Sequence, residues 1–84
     1  MKKTYMNWVR EFPGYTVIRK EGCFYTAKEE SAEVLHKYLG YKIGYIEDVA
    51  ITGSPCLVNI TDALEYHSVP YVVIEDNIVT LIKS

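Results

Sequence analysis

No stretch of this chain approaches the roughly 18 consecutive apolar residues that a membrane-spanning helix needs. The opening MKKTYMNWVREF carries basic residues without the apolar core of a signal peptide. The expected location is therefore the cytoplasm. Cysteine is scarce: Cys23 and Cys56 are far apart and no C-x-x-C occurs, while His36 and His67 are isolated from each other and from both thiols. A zinc site needs clustered ligands, so no metal is expected, and the two thiols read as buried and reduced. The phosphate loop G-x-x-x-x-G-K-[ST], the dinucleotide fingerprint G-x-G-x-x-G and H-E-x-x-H are all missing, and no cofactor is expected. The acids are scattered, so no catalytic carboxylate pair can be argued. Cys23 lies near basic residues, which lower a thiol pKa, but no histidine is placed to activate it. The expectation is a protein that is not an enzyme.

What is present is an ordinary globular composition, 49% hydrophobic and 24% charged over 84 residues. That length allows one domain, residues 1–84. A domain of this size buries roughly 60% of the surface of its unfolded chain, so modest stability is expected. The net charge of −2 is uneven. Residues 1–22 sum to +3, residues 23–46 balance, and residues 47–84 sum to −5. A strong nucleic-acid binder usually shows a basic domain. This chain offers one basic edge at most, or else an ordinary solvated surface.

The element pattern is clearer. Tyr5, Trp8, Val9 and Phe12 recur at helical spacing before Pro13-Gly14. YTVIRK and CFYT read as a hairpin closed by Glu21-Gly22. Thr26-Ala27-Lys28-Glu29 matches a capping box, and the helix after it places Ala27, Val34, Leu35, Tyr38 and Leu39 on one face, with Gly40 as its stop. YKIGYI and DVAIT are short strands joined at Glu47-Asp48. Ser54-Pro55 reads as a cap followed by proline at the first helical position. Leu57, Ile60, Ala63, Leu64 and His67 then share a face. The β-branched residues of CLVNI allow a buried strand instead, and the helix is the preferred reading. VPYVVIEDNIVTLIK reads as two strands joined at Asp76-Asn77. The order α-β-β-α-β-β-α-β-β defines a mixed α/β (α+β) class: a single small domain with a mixed sheet of about six strands flanked by two to three helices.

Eight tyrosines are present. Exposed tyrosines stack the bases of single strands, but an amphipathic ring at the border of a small core is the commoner arrangement. His36 and His67 fall within helices and read as packing or surface residues rather than ligands.

The segment from Tyr5 to Ile82 resembles the N-terminal mismatch-recognition domain of the MutS DNA mismatch repair family. That family shows a pattern of the form GDFYE at the end of a hairpin, followed by an acidic helix rich in Ala and Leu. Here GCFYT is followed by AKEESAEVLHKYLG. AITGSP corresponds to the family's P-M-A-G-x-P, with Gly53 and Pro55 matching, and VVIEDN corresponds to its VAICEQ strand. The resemblance implies a MutS domain I-like fold without the family's ATPase, clamp and lever helices. It also implies that Phe24 is the aromatic that wedges beside a mispaired or unpaired base. The family's base-contacting glutamate falls on Thr26, and Cys23 replaces its aspartate, so mismatch specificity does not carry over.

Read from its own residues, Phe24 is either a core side chain or an exposed aromatic. A Glu21-Gly22 turn puts Val17, Arg19, Phe24 and Thr26 on one sheet face and Ile18, Lys20, Cys23 and Tyr25 on the other. Slippage of that register would bury Phe24. Apolar side chains do wedge between base steps, and Arg19, Lys20, Lys2 and Lys3 are the candidate phosphate contacts. Two functions follow. One is a non-catalytic module binding duplex DNA. The other is a protein-interaction module that keeps the fold, for which NIVTLIK is a candidate edge strand and homodimer surface.

Overall fold

The computed structural model describes residues 2–84. Helix α1 (Tyr5–Glu11) leads into strands β1 (Thr16–Glu21) and β2 (Phe24–Lys28). Helix α2 (Glu30–Leu39), strands β3 (Gly44–Ile46) and β4 (Val49–Ser54), helix α3 (Leu57–Tyr66), and strands β5 (Tyr71–Glu75) and β6 (Ile78–Lys83) follow. The order matches the sequence pattern element for element, and CLVNI enters a helix rather than a strand. The six strands form one mixed sheet in the order β3-β4-β2-β1-β5-β6, with β1 and β5 parallel and every other pair antiparallel.

The two central strands explain the layering. Val17, Ile18, Val72 and Val73 are fully buried, so both faces of β1 and β5 need a cover. Ile18, Ala27, Tyr71 and Val73 pack against Leu35 of α2 and Ile60 and Leu64 of α3. Val17, Val72 and Ile74 pack against Tyr5 and Trp8 of α1 on the opposite face. A seven-residue helix is too short to persist alone. The reciprocal hydrogen bonds Asn7 N–H to Thr4 Oγ1 (3.2 Å) and Thr4 N–H to Asn7 Oδ1 (3.0 Å) start α1. The burial of Tyr5 and Trp8 then holds it on the sheet.

Tight turns close the second and third hairpins where expected. Glu47-Asp48 and Asp76-Asn77 take positive φ at both central positions, as the right-handed twist of the flanking strands requires. Gly53 sits where β4 runs against β2, and a Cβ there would lie 2.6 Å from the Tyr25 carbonyl oxygen. Only glycine fits that approach.

Four local expectations are corrected. The first hairpin turns at Gly22-Cys23, with Glu21 opposite Phe24. Gly22 takes the positive φ (+64°) that Glu21 would accept poorly. Moving the turn by one residue shifts the cross-strand pairing by two, so Val17, Arg19, Phe24 and Thr26 still share a face. Second, Thr26-Ala27-Lys28-Glu29 is not a capping box. Thr26 pairs with both β1 and β4 and Ala27 with β4, so both lie in mid-strand, and α2 starts at Glu30 after Glu29 at φ +54° with no side-chain cap. The two-sided ladder outcompetes a single cap hydrogen bond. Third, Ser54 ends β4 instead of capping α3. Its Oγ accepts from Cys56 N–H (3.1 Å), and the helix begins at Leu57. Fourth, both cysteines are exposed, because one lies in the hairpin turn and the other at the mouth of α3.

Of the eight tyrosines, Tyr5 and Tyr71 are buried, Tyr15, Tyr25, Tyr38 and Tyr41 are half-buried, and Tyr45 and Tyr66 are exposed. Half of them therefore border the core, as amphipathic rings do, and two more lie within it. His36 hydrogen-bonds the Tyr41 carbonyl through Nδ1 (2.8 Å), and His67 ends α3 against the rings of Tyr38 and Tyr66.

Candidate nucleic-acid interface

Helix α1 covers the β1–β5 half of its sheet face and leaves the β2–β4–β3 half open. Along that boundary runs a groove of about 950 Å³. Its lining includes Lys2, Lys3, Arg19, Lys20 and Lys28 against Glu21, Glu29 and Asp76, with Tyr5, Met6 and Val49 as its apolar parts. With the Lys20 side chain leaving for the opposite face, four cations against three acids still make it locally basic in a chain whose net charge is −2. The cations come from three places: the N-terminal arm, the outer half of β1 and the end of β2. A clip orders the arm, since Lys3 N–H donates to Asn77 Oδ1 in the β5–β6 turn (3.0 Å).

Alternation along β1 and β2 puts Arg19, Glu21, Phe24, Thr26 and Lys28 on the groove side of the sheet. Phe24 begins β2 beside the turn and is 51% exposed. The open alternative is thereby decided: it is not a core side chain. Arg19 and Lys20 do not ring it. The Arg19 guanidinium turns toward α1, donating through Nε (3.1 Å) and Nη2 (3.0 Å) to Glu21 Oε2 and through Nη1 to the Lys3 carbonyl (3.4 Å). Lys20 projects to the opposite face, where its Nζ lies 3.8 Å from Glu75 Oε1 and over the Tyr25 ring. Thr26 is buried, and its hydroxyl donates to the Arg19 carbonyl (2.9 Å).

Glu21 is the hub of the groove. Lys28 Nζ also reaches its Oε2, at 3.5 Å. Burial pushes the Glu21 carboxyl up, but the Arg19 hydrogen bonds and the charges of Lys28 and Arg19 outweigh that, so its pKa lies below the ordinary value. Lys3 pairs with Glu11 and lies over the Trp8 ring. Lys2 makes no ion pair with any described residue. Partly exposed pairs of this kind contribute little to stability, so a phosphate can replace the carboxylate at small cost.

A feature the sequence pattern does not reveal lies at the floor of the groove. The β1–β2 ladder stops at Arg19–Thr26. At the next position the Tyr5 hydroxyl is inserted between the strands, donating to the Val17 carbonyl (2.6 Å) and accepting from Lys28 N–H (3.0 Å). Ser31 Oγ accepts the Val17 N–H (2.9 Å). Burial raises the Tyr5 pKa, which keeps the hydroxyl protonated as a donor. Tyr5 reads from sequence only as one apolar position of α1.

Among the described residues no group of three His, Cys, Asp or Glu side chains is arranged to hold a metal ion, and no helix is long and apolar enough to cross a membrane. Comparison with models of known protein families gives no match, and comparison with curated proteins gives none either.

Proposed function

We propose that this chain is a non-catalytic module that binds duplex DNA through backbone contacts and an aromatic wedge. The reading is carried by one observation: Phe24 stands 51% exposed on the same open sheet face as a groove lined by the side chains of Lys2, Lys3, Arg19 and Lys28. The MutS-like GCFYT motif supports it by giving that phenylalanine the wedge role. Lys2, Lys3, Arg19 and Lys28 would contact phosphates, with Arg19 and Lys28 exchanging Glu21 for the DNA backbone. Thr26, buried and bonded within the sheet, supplies no base contact, so the module would favour distorted duplex in general over a particular mispair.

The test is a salt titration of binding to matched, mismatched and single-stranded DNA. Four phosphate contacts give a slope of log K on log salt of roughly −3 to −4. An aromatic–base contact is worth about 1–3 kcal/mol, so Phe24→Ala should weaken binding roughly 5- to 150-fold. Absence of binding to any duplex at low salt refutes the reading.

A second reading keeps the face and changes the occupant. Arg19, Lys20, Lys28 and Lys3 are all paired with acids of the same chain. Met6, Phe24, Ile46 and Val49 are exposed apolar side chains around the groove. Those two observations favour a protein-interaction module, for which Phe24→Ala reduces protein capture while salt has little effect.

A further inference from the structure

The two edges of the sheet are built differently. β3 is three residues long and closes on the charged turn Glu47-Asp48. A short edge beside charge is one way natural sheets avoid pairing with other chains. β6 runs for six residues, contains no proline and carries one charge, Lys83, at its end. β5 takes one side of its backbone, and among the described residues no strand takes the other. Ile78 (63%), Leu81 (42%) and Ile82 (48%) are all exposed along it. Its one irregularity is the bulge opposite Val73 and Ile74, where Thr80 turns its hydroxyl back to the Val73 carbonyl and Glu75, away from the open edge.

We propose that β6 pairs antiparallel with β6 of a second copy of this chain, forming a twofold dimer with one continuous sheet. Charge selects both the partner and the direction. The strand begins just after Asp76 and ends at Lys83. Antiparallel pairing sets the Lys83 end of each copy beside the Asp76 end of the other, whereas parallel pairing sets like beside like. Asp76 makes no ion pair among the described residues. Lys83 reaches Glu65 only at 3.9 Å, with 60% of its side chain exposed.

The pleat agrees with that register. Leu81 lies opposite Val73 and Ile78 opposite Glu75, so both occupy the sheet face that carries α2 and α3. The alignment that brings Lys83 level with Asp76 of the second copy also brings Leu81 level with Ile78. Each twofold-related half then gains one apolar cross-strand contact and one ion pair. About six inter-strand hydrogen bonds complete the pairing, few enough for a dimer that dissociates on dilution. The edge is separate from Phe24, since β2 lies three strands away, but it meets the groove at Asp76 of the β5–β6 turn.

Sedimentation velocity from micromolar to millimolar concentration tests it. The chain should pass from monomer to dimer across that range. Ile78→Lys, at an exposed position, should weaken dimerisation by about tenfold or more, and Lys83→Glu, which faces Asp76 with a like charge, should do the same. Circular dichroism verifies that both variants are folded, and Lys83→Glu alone carries the test if Ile78→Lys is not. A wild-type chain that stays monomeric at millimolar concentration overturns the proposal. So does a dimer that neither variant weakens.

Discussion

The Tyr5 hydroxyl offers the sharpest test of how α1 is joined to the sheet. Tyr5→Phe keeps the ring and its packing against Val17, Val72 and Ile74 and removes one oxygen. That oxygen serves two main-chain groups, the Val17 carbonyl and the Lys28 N–H. A buried group left unsatisfied costs about 1–3 kcal/mol. Two such groups set an upper range of about 2–6 kcal/mol, but Tyr5 also lines the groove, so water can reach the gap and offset part of the loss. The expected cost is about 2–3 kcal/mol. A domain of 84 residues has a total stability of roughly 4–13 kcal/mol, so the change is a large fraction of it. In thermal terms it is a drop of roughly 10–20 °C. Urea unfolding followed by the single tryptophan, Trp8, measures it, with an unchanged m-value showing that the native state is still compact. Hydrogen exchange should show the Lys28 amide losing protection. Tyr15→Phe is the control, since that half-buried hydroxyl makes no hydrogen bond with any described residue, and it should cost under about 0.5 kcal/mol. If Tyr5→Phe costs no more than the control, the inserted hydroxyl is not what closes the β1–β2 ladder.

Glu21→Gln should separate charge from fold. The folded Glu21 carboxyl lies below its ordinary value of 4.5, so its contribution is complete above that pH and is lost as pH falls through the lower folded value. The stability difference between wild type and Glu21→Gln should therefore shrink in acid melts, and a difference independent of pH contradicts the account. The same variant releases Arg19 and Lys28, so it should bind duplex more tightly and with a steeper salt slope; weaker binding counts against the groove as the DNA site. At the alkaline end, burial and the hydrogen bond to Glu65 push Tyr71 up to about 12 from 10.0. Its contribution is complete below pH 10 and is lost as pH rises toward 12. Tyr71→Phe should flatten the loss of stability over that interval, leaving the share due to Tyr5, whose pKa is also raised, and an unchanged alkaline limb would remove Tyr71 from the explanation.

Several parts of this protein are local enough to be legible in the chain. Asp76-Asn77 and Glu47-Asp48 mark their turns because side chains that tolerate positive φ sit between apolar runs. Gly40, at φ +75°, ends α2 because only the residues on its N-terminal side repeat at helical spacing. The sharing of a face by Val17, Arg19, Phe24 and Thr26 withstood an error in the turn, since a period of two is unchanged by a shift of two. What misled was local chemistry overruled by distant pairing. Thr26 to Glu29 has the spacing of a capping box, but β4 supplies Gly53, Thr52 and Ile51 as partners for Thr26, Ala27 and Lys28, and a strand results.

By itself, then, the sequence determined the element order, the class of fold and which residues of the first hairpin share a face, because propensity and periodicity act over a few neighbouring residues. Tertiary structure alone decided the rest. The short α1 covers only half of its sheet face, which leaves Phe24 exposed, where sequence allowed it to be core. Pairing across the groove ties Arg19 and Lys28 to Glu21, where a count of charges showed only a basic edge. Tyr5 reaches across from α1 to close a gap between strands that begin 11 and 19 residues further along. Each of these depends on contacts between segments that the chain brings together only when folded.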